Sequence, residues 1–208
     1  MLPLSMALGT GLGGPAAWAQ SGAGPTILVM GDSLSAEYGL KRGEGWVALL
    51  EKRLAAEKIT AHVVNASISG ETTAGGKSRI DALLKTHKPN VVVIELGAND
   101  ALRGLPIAQT QGNLTAMVDA SKAIGARVLV VGIQVPPNYG AAYLDSFTKV
   151  FTNVGNASKV PVVPFMLKGV ADGPDVAAMF QADRIHPVAA AHPRILDNIW
   201  PELKKLLK

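Results

Sequence analysis

The chain has 208 residues, 48% hydrophobic and 17% charged, enough for one domain with a single well-buried core and without a linker, repeat or low-complexity block to divide it. Its net charge of +4 is carried largely at helical positions such as Lys52, Arg53, Lys58, Lys204, Lys205 and Lys208. No basic stripe interleaved with aromatics marks a nucleic-acid surface. The absence of cysteine excludes disulfides, thiolate metal sites, a cysteine nucleophile and a lipid-modified cysteine.

Everything before Asp32, the first charged residue, is small, apolar or neutral. Ala17-Trp18-Ala19 has the small-x-small form of a secretory cleavage site, so residues 1–19 are expected to be a signal peptide and 20–208 a single exported domain beginning at Gln20. No Lys or Arg precedes the apolar run. A membrane anchor fits the stretch less well because it is glycine-rich and short for a span. The expected location is therefore periplasmic or secreted, with no stable membrane insertion after cleavage.

Ile27 to Met30 is a buried-type apolar run that stops at Gly31-Asp32-Ser33, the pattern of a central parallel strand opening into a loop. Trp46, Val47, Leu50 and Leu54 recur at helical spacing and predict the first crossover helix. A short strand is expected over 61–66, a loop over 67–73, and a helix through Ile80, Leu83 and Leu84 that stops before Pro89. Residues 91–96 (VVVIEL) form the most β-branched run and predict a buried strand closed by Gly97-Ala98-Asn99-Asp100. A helix over about 107–124 with Gly125 as its cap, a strand over 127–134, a Pro136-Pro137-Asn138-Tyr139-Gly140 turn and a helix over about 141–155 follow. A fifth strand over 160–164 precedes a long irregular section to Asp183. The last helix is expected from about Pro187, with Ile195, Ile199, Leu203 and Leu206 along one side.

Strands alternating with helices predict an α/β fold with a parallel sheet, right-handed crossovers and helices on both faces. Loops that follow strands share one edge of such a sheet, so Ser33, Gly70 and Asn99 are expected to converge although they are far apart in sequence.

A serine hydroxyl at that edge is a poor nucleophile unless a base takes its proton and donors hold the oxyanion. Of the four histidines, His62 falls inside a strand and His87 at a helix end, positions suited to structural roles, and His192 lies on the last helix, where a surface or packing role is expected. His186 differs, because Asp183 stands three residues before it. On a tight turn Asp183 can accept from Nδ1 while Nε2 faces outward, the orienting arrangement a Ser-His-Asp triad needs if Nε2 is to take the Ser33 proton. Gly70 can bring a bare backbone N–H to a ligand or can be a simple turn glycine. Asn99 can donate its side-chain amide or serve as a loop or helix cap. With the Ser33 N–H these would make three oxyanion donors. Asp32 and Asp100 are expected to hold loops rather than to act as acid or base.

MGDSLS, NASISGETT, ELGANDALRG and DRIHP resemble, in order and from end to end of the mature chain, the four sequence blocks of the SGNH (GDSL-type) hydrolases. The chain is most similar to their periplasmic multifunctional thioesterase/lysophospholipase and arylesterase branch, including the PPNYG and PVVPF segments. The resemblance implies a flavodoxin-like three-layer α/β/α fold with a five-stranded parallel sheet. It also implies Ser33 as nucleophile, Gly70 and Asn99 as oxyanion donors, and Asp183 and His186 as the remaining catalytic pair, with no metal or other cofactor. Two blocks depart from the commoner pattern: Ala98 stands where glycine is frequent, and Arg184 stands where Asp-Gly-Ile-His is frequent. The G-x-S-x-G elbow of the α/β-hydrolases is missing, because Ser35 occupies its second glycine position.

The expected activity is that of a serine esterase working through an acyl-enzyme on small-molecule ester or lipid substrates. Leu102, Leu105, Pro106 and Ile107 on one side and Pro136, Pro137, Tyr139 and Tyr143 on the other would form an apolar groove for an acyl or aryl group. Resemblance suggests aryl esters, short to medium acyl esters, thioesters and lysophospholipids. The alternatives are a carbohydrate or cell-wall O-acetylesterase on the same machinery and a non-catalytic flavodoxin-like binding protein. A monomer is expected.

Overall fold

The computed structural model describes residues 24–135 and 139–208. Its centre is a five-stranded, all-parallel sheet in the order β2-β1-β3-β4-β5, made of β1 (Thr26–Gly31), β2 (His62–Asn65), β3 (Val91–Glu95), β4 (Arg127–Val131) and β5 (Val162–Val163). That is the flavodoxin-like order, and the α/β expectation holds. Ile27 to Met30 and Val91 to Ile94 are all buried because β1 and β3 are covered on both faces, which is why they read as continuous apolar runs.

From β1 the chain crosses one way to β2 and later the other way from β3 to β5. Right-handed crossovers then divide the helices between the two faces. The first group is α1 (Trp46–Ala56) packed on the last long helix; the second is α2 (Thr73–His87), α4 (Ile107–Ala123) and α5 (Ala141–Ser158), packed in sequence. The direction reverses between β1 and β3, and the crevice beyond their carboxyl ends is where such sheets place ligands.

Several boundaries differ from expectation. The Gly97–Asp100 loop is instead the start of a short helix, α3 (Ala98–Leu102), and another, α6 (Val176–Met179), interrupts the long irregular section. The fourth strand ends at Val131 and the fifth is only Val162–Val163, since β5 is an edge strand that pairs with β4 alone. The last helix, α7 (His192–Lys205), begins later than Pro187 and follows a 3-10 turn at Ala189–Ala191. The proline in its first turn is Pro193, whereas Pro187 forms an antiparallel bridge with Phe180. A proline's fixed φ suits either setting, and the bridge closes the loop that carries His186.

Candidate active site

β1 ends at Gly31, where an added Cβ would lie 2.6 Å from Ser35 Oγ and 2.7 Å from Glu95 Oε2, so the absent side chain lets the strand and the loop beyond it close tightly. The Asp32 carbonyl accepts from the N–H groups of Ser35 and Ala36, and Asp32 Oδ1 accepts from the Leu34 N–H at 3.0 Å. This turn holds Ser33 half-buried at the sheet edge. Behind it, Trp46 Nε1 donates to Ser35 Oγ at 3.1 Å, and Ser35 Oγ donates to Glu95 Oε2 at 2.6 Å.

The histidine arrives on a loop closed by its own backbone. Val188 N–H donates to the Met179 carbonyl, Gln181 N–H to the His186 carbonyl and Arg184 N–H to the Gln181 carbonyl. Asp183 Oδ1 accepts from the backbone N–H of His186 (3.0 Å) and of Ile185 (2.9 Å), while Oδ2 lies 2.7 Å from His186 Nδ1. The backbone N–H of His186, reinforced by its ring and by the Ile185 N–H, holds the Asp183 carboxyl down to about 2. His186 Nε2 is 2.9 Å from Ser33 Oγ. The Tyr38 ring lies against the imidazole, with centroids 4.2 Å apart.

Within that loop Arg184 has φ +57°, a left-handed conformation that disfavours a residue with a Cβ. This is the physical reason a glycine is comfortable there. Arg184→Gly is expected to raise the unfolding free energy by ~0.5–1 kcal/mol and leave kcat/KM within about twofold. Urea denaturation and initial rates check the two halves of that expectation.

The other two loops meet the first. Asn99 Nδ2 donates to Asp32 Oδ2 at 3.1 Å and to the Glu71 carbonyl at 3.0 Å, so one amide joins the loops after β1, β2 and β3. Gly70 sits in the second of these with φ +79°, its carbonyl accepting from Arg103 Nη2 at 2.8 Å. Asp100 is buried and ties α3 to the start of α2. Its Oδ2 accepts from the Thr73 N–H at 2.8 Å and its Oδ1 from the Thr73 and Thr110 hydroxyls. Asp32 and Asp100 are therefore loop-holding carboxylates, as their sequence positions suggested. Burial pushes the Asp32 carboxyl up to about 6, and burial together with the nearby Asp32 charge pushes Glu95 well above the ordinary carboxylate range.

Ser33, His186 and Asp183 form one hydrogen-bonded chain, and Asn99 and Gly70 stand in loops tied to it. Of the expected groove residues, Leu102 is 38% exposed, and Leu105, Ile107, Tyr139 and Tyr143 are half-buried. Tyr139 faces Tyr143 at 6.0 Å, and Tyr143 stacks on Phe147 at 6.1 Å, so the three rings follow one another into the first turns of α5. Pro136 and Pro137 lie outside the described residues. His192 is buried, and its Nδ1 accepts from the Trp46 N–H at 3.0 Å, capping α1. Burial holds its pKa below the usual histidine range, in keeping with a neutral acceptor. Among the described residues, no group of three or more His, Asp and Glu side chains is placed to hold a metal ion.

Glu95, Tyr38, Arg103 and Gln181 also shape the site, and the sequence reading singled out none of them. Only Glu95 carried a usable signal, as the one acid in a β-branched run. The other three act on loops whose meeting no local pattern encodes.

Residues 29–194 match the model of the GDSL-like lipase/acylhydrolase family. The esterase TesA of Pseudomonas aeruginosa is 54% identical over 188 residues, covering 90% of this chain and 92% of that protein. An arylesterase of Vibrio mimicus is 40% identical over 91% of this chain and 93% of its own length. The thioesterase 1/protease 1/lysophospholipase L1 of Escherichia coli strain K12 is 38% identical over 90% and 88% respectively. A crystal structure of TesA matches with a TM-score of 0.84 and 55% identity, covering 87% of this chain and 99% of that one.

Proposed function

We infer the roles at this site from one premise: the chain belongs to the GDSL-like lipase/acylhydrolase family and is a serine esterase, a carboxylic ester hydrolase that works through an acyl-enzyme. Ser33 is its nucleophile. His186 Nε2 takes the Ser33 proton as Oγ bonds to the substrate carbonyl carbon, and then delivers that proton to the leaving oxygen as the ester bond breaks. Water, deprotonated by the same Nε2, attacks the carbonyl carbon of the acyl-Ser33 ester; the bond from that carbon to Oγ breaks as Nε2 returns the proton to Oγ, and the acid is released. Asp183 keeps the Nδ1 tautomer and steadies the imidazolium. The observation that carries this reading is the 2.9 Å contact of His186 Nε2 with Ser33 Oγ, backed by Asp183 at 2.7 Å.

The backbone N–H groups of Ser33 and Gly70 and the Asn99 amide stabilise the tetrahedral oxyanion, a donor of this kind being worth ~3 kcal/mol. In the resting site both hydrogens of the Asn99 amide have acceptors, so the oxyanion shares one of them with Asp32 or Glu71 as its charge develops. The acyl or aryl group lies between Leu102, Leu105 and Ile107 on one side and Pro137, Tyr139 and Tyr143 on the other.

Aryl esters and short to medium acyl esters are the proposed substrates, with thioesters and lysophospholipids beside them. The aliphatic and aromatic character of the two walls and the names of the three relatives support this range. Residues 1–19 are removed as a signal peptide, and the mature domain acts as a monomer in the periplasm or outside the cell. The small-x-small site at Ala17-Trp18-Ala19 supports export, and among the described residues no helix is long and apolar enough to cross a membrane.

Comparing hydrolysis of aryl butyrate and octanoate with release of acetate from acetylated xylan tests the substrate class. The aryl acyl esters are expected to be turned over faster; a strict preference for acetate on the polysaccharide would reassign the enzyme to carbohydrate deacetylation.

A further inference from the structure

Ser33 and His186 are 153 positions apart, on two loops that no strand pairing joins. Among the described residues, only two hydrogen bonds are recorded between the serine loop (residues 32–45) and the histidine loop (residues 179–188). One is the Ser33–His186 contact itself. In the other, Gln181 Nε2 donates to the Tyr38 carbonyl at 3.0 Å. The same Nε2 donates its second hydrogen to the Pro187 carbonyl, also at 3.0 Å, next to His186. The Gln181 backbone completes the clasp, its N–H bonding the His186 carbonyl and its carbonyl accepting from Arg184. One amide group thus bonds the serine loop with one hydrogen and the histidine loop with the other.

The serine loop is shaped to receive it. Gly39 has φ +70°, and a Cβ there would collide with Oε1 of Gln181. Two features, a side chain with both hydrogens committed and a glycine that leaves room for it, concern the same contact. The carbonyl it grips belongs to Tyr38, whose ring lies against the His186 imidazole, so the amide fixes the aromatic neighbour of the base as well.

We propose that Gln181 is a positioning residue that sets the Ser33–His186 distance by bracing the two loops through its side-chain amide. This rests on Ser33 and His186 acting as nucleophile and base. Its role is distinct from theirs, because Gln181 touches neither reacting atom. Losing the brace lets the imidazole drift from the hydroxyl, and a misplacement of about 1 Å can lower a rate by ~100-fold.

The test compares Gln181→Met, which keeps length and bulk but removes both donors, with Gln181→Glu, which points a carboxylate at two carbonyl oxygens. Rates with an aryl butyrate are expressed per active site titrated by a fluorophosphonate, so that loss of folded protein does not count. Gln181→Met is expected to lower kcat by ~10–100-fold with KM within about twofold, and Gln181→Glu to be slower still. The rate constant of fluorophosphonate inactivation should fall in parallel, since it needs the same proton transfer. Gly39→Ala, which displaces the amide without altering it, should lower kcat in the same way if the Gln181 variants fold poorly.

A Gln181→Met enzyme within twofold of the parent in kcat, or a Gln181→Glu enzyme as fast as Gln181→Met, would overturn the brace. Ser33→Ala, which offers no hydroxyl to titrate and is therefore compared with the parent per mole of folded protein, separates the two levels. If it is inactive while Gln181→Met is unimpaired, the brace alone fails; if it keeps full activity, the nucleophile assignment fails first.

Discussion

Ser33→Ala is expected to lower kcat for an aryl ester by ~10⁴ to 10⁶-fold while the protein stays folded. Without the hydroxyl there is no acyl-enzyme, and what remains is whatever a water in the same cradle achieves with His186 and the oxyanion donors. Folding should be nearly untouched. The hydroxyl is half-buried, its recorded hydrogen-bond partner is His186, and the loop around it is held by Asp32, Ser35 and Glu95 rather than by Ser33. Mass spectrometry after fluorophosphonate treatment should find one adduct per chain, on Ser33, and none in the alanine variant. An adduct on another residue, or an alanine variant that turns over at the parent rate, would end the assignment.

Asp183→Asn should lower kcat by a similar order, ~10⁴-fold, for a different reason. The carboxylate accepts three hydrogens at once, two from the backbone N–H groups of Ile185 and His186 and one from His186 Nδ1. An asparagine cannot reproduce this. With its NH₂ toward the ring it demands the tautomer that carries the proton on Nε2, which cannot accept from Ser33. With its oxygen toward the ring, the NH₂ faces two backbone donors. Proton NMR of the ring and kcat/KM across pH would report the change of tautomer directly.

The pH dependence has a sign that distinguishes the carboxylates of the site. Asp183 is held down to about 2 from 3.8, so its ionised form favours the folded state. That contribution is present above pH 3.8 and is lost as pH falls toward 2. Asp32 runs the other way: burial raises it to about 6, its protonated form favours the folded state, and stability is lost as pH rises from 3.8 toward 6. Glu95 has the same sense as Asp32. In Asp183→Asn the decline toward pH 2 should therefore be shallower, while the behaviour near pH 6 is kept; unfolding midpoints at a series of pH values check both.

Much of the site could be read from the chain because it lies in short blocks directly after strands. Ile27 to Met30 and Val91 to Ile94 are apolar throughout since both faces of β1 and β3 are covered, and this placed Ser33 and Asn99 at one edge. Asp183 and His186 were recognisable as a pair because a three-residue spacing brings a carboxylate onto its own loop's imidazole, a local effect. Boundaries were harder: Pro187 and Pro193 are equally good helix starters by themselves, and only the Phe180 bridge decides between them. The turn glycine and the cap asparagine remained ambiguous in sequence, because a backbone N–H or an amide acquires its role from what lies opposite.

The order of residue types along the chain was thus sufficient for the fold class and for singling out Ser33, His186 and Asp183 as candidates, since each follows from periodicity or from spacing within a few residues. Tertiary contact alone decided that Asn99 joins three loops, that His192 caps α1, that Glu95 lies buried under the serine turn and that the Gln181 amide spans the serine and histidine loops. These are hydrogen bonds between segments tens to more than a hundred residues apart. Their geometry depends on how the crossover helices stack on the sheet, which no short stretch of sequence specifies.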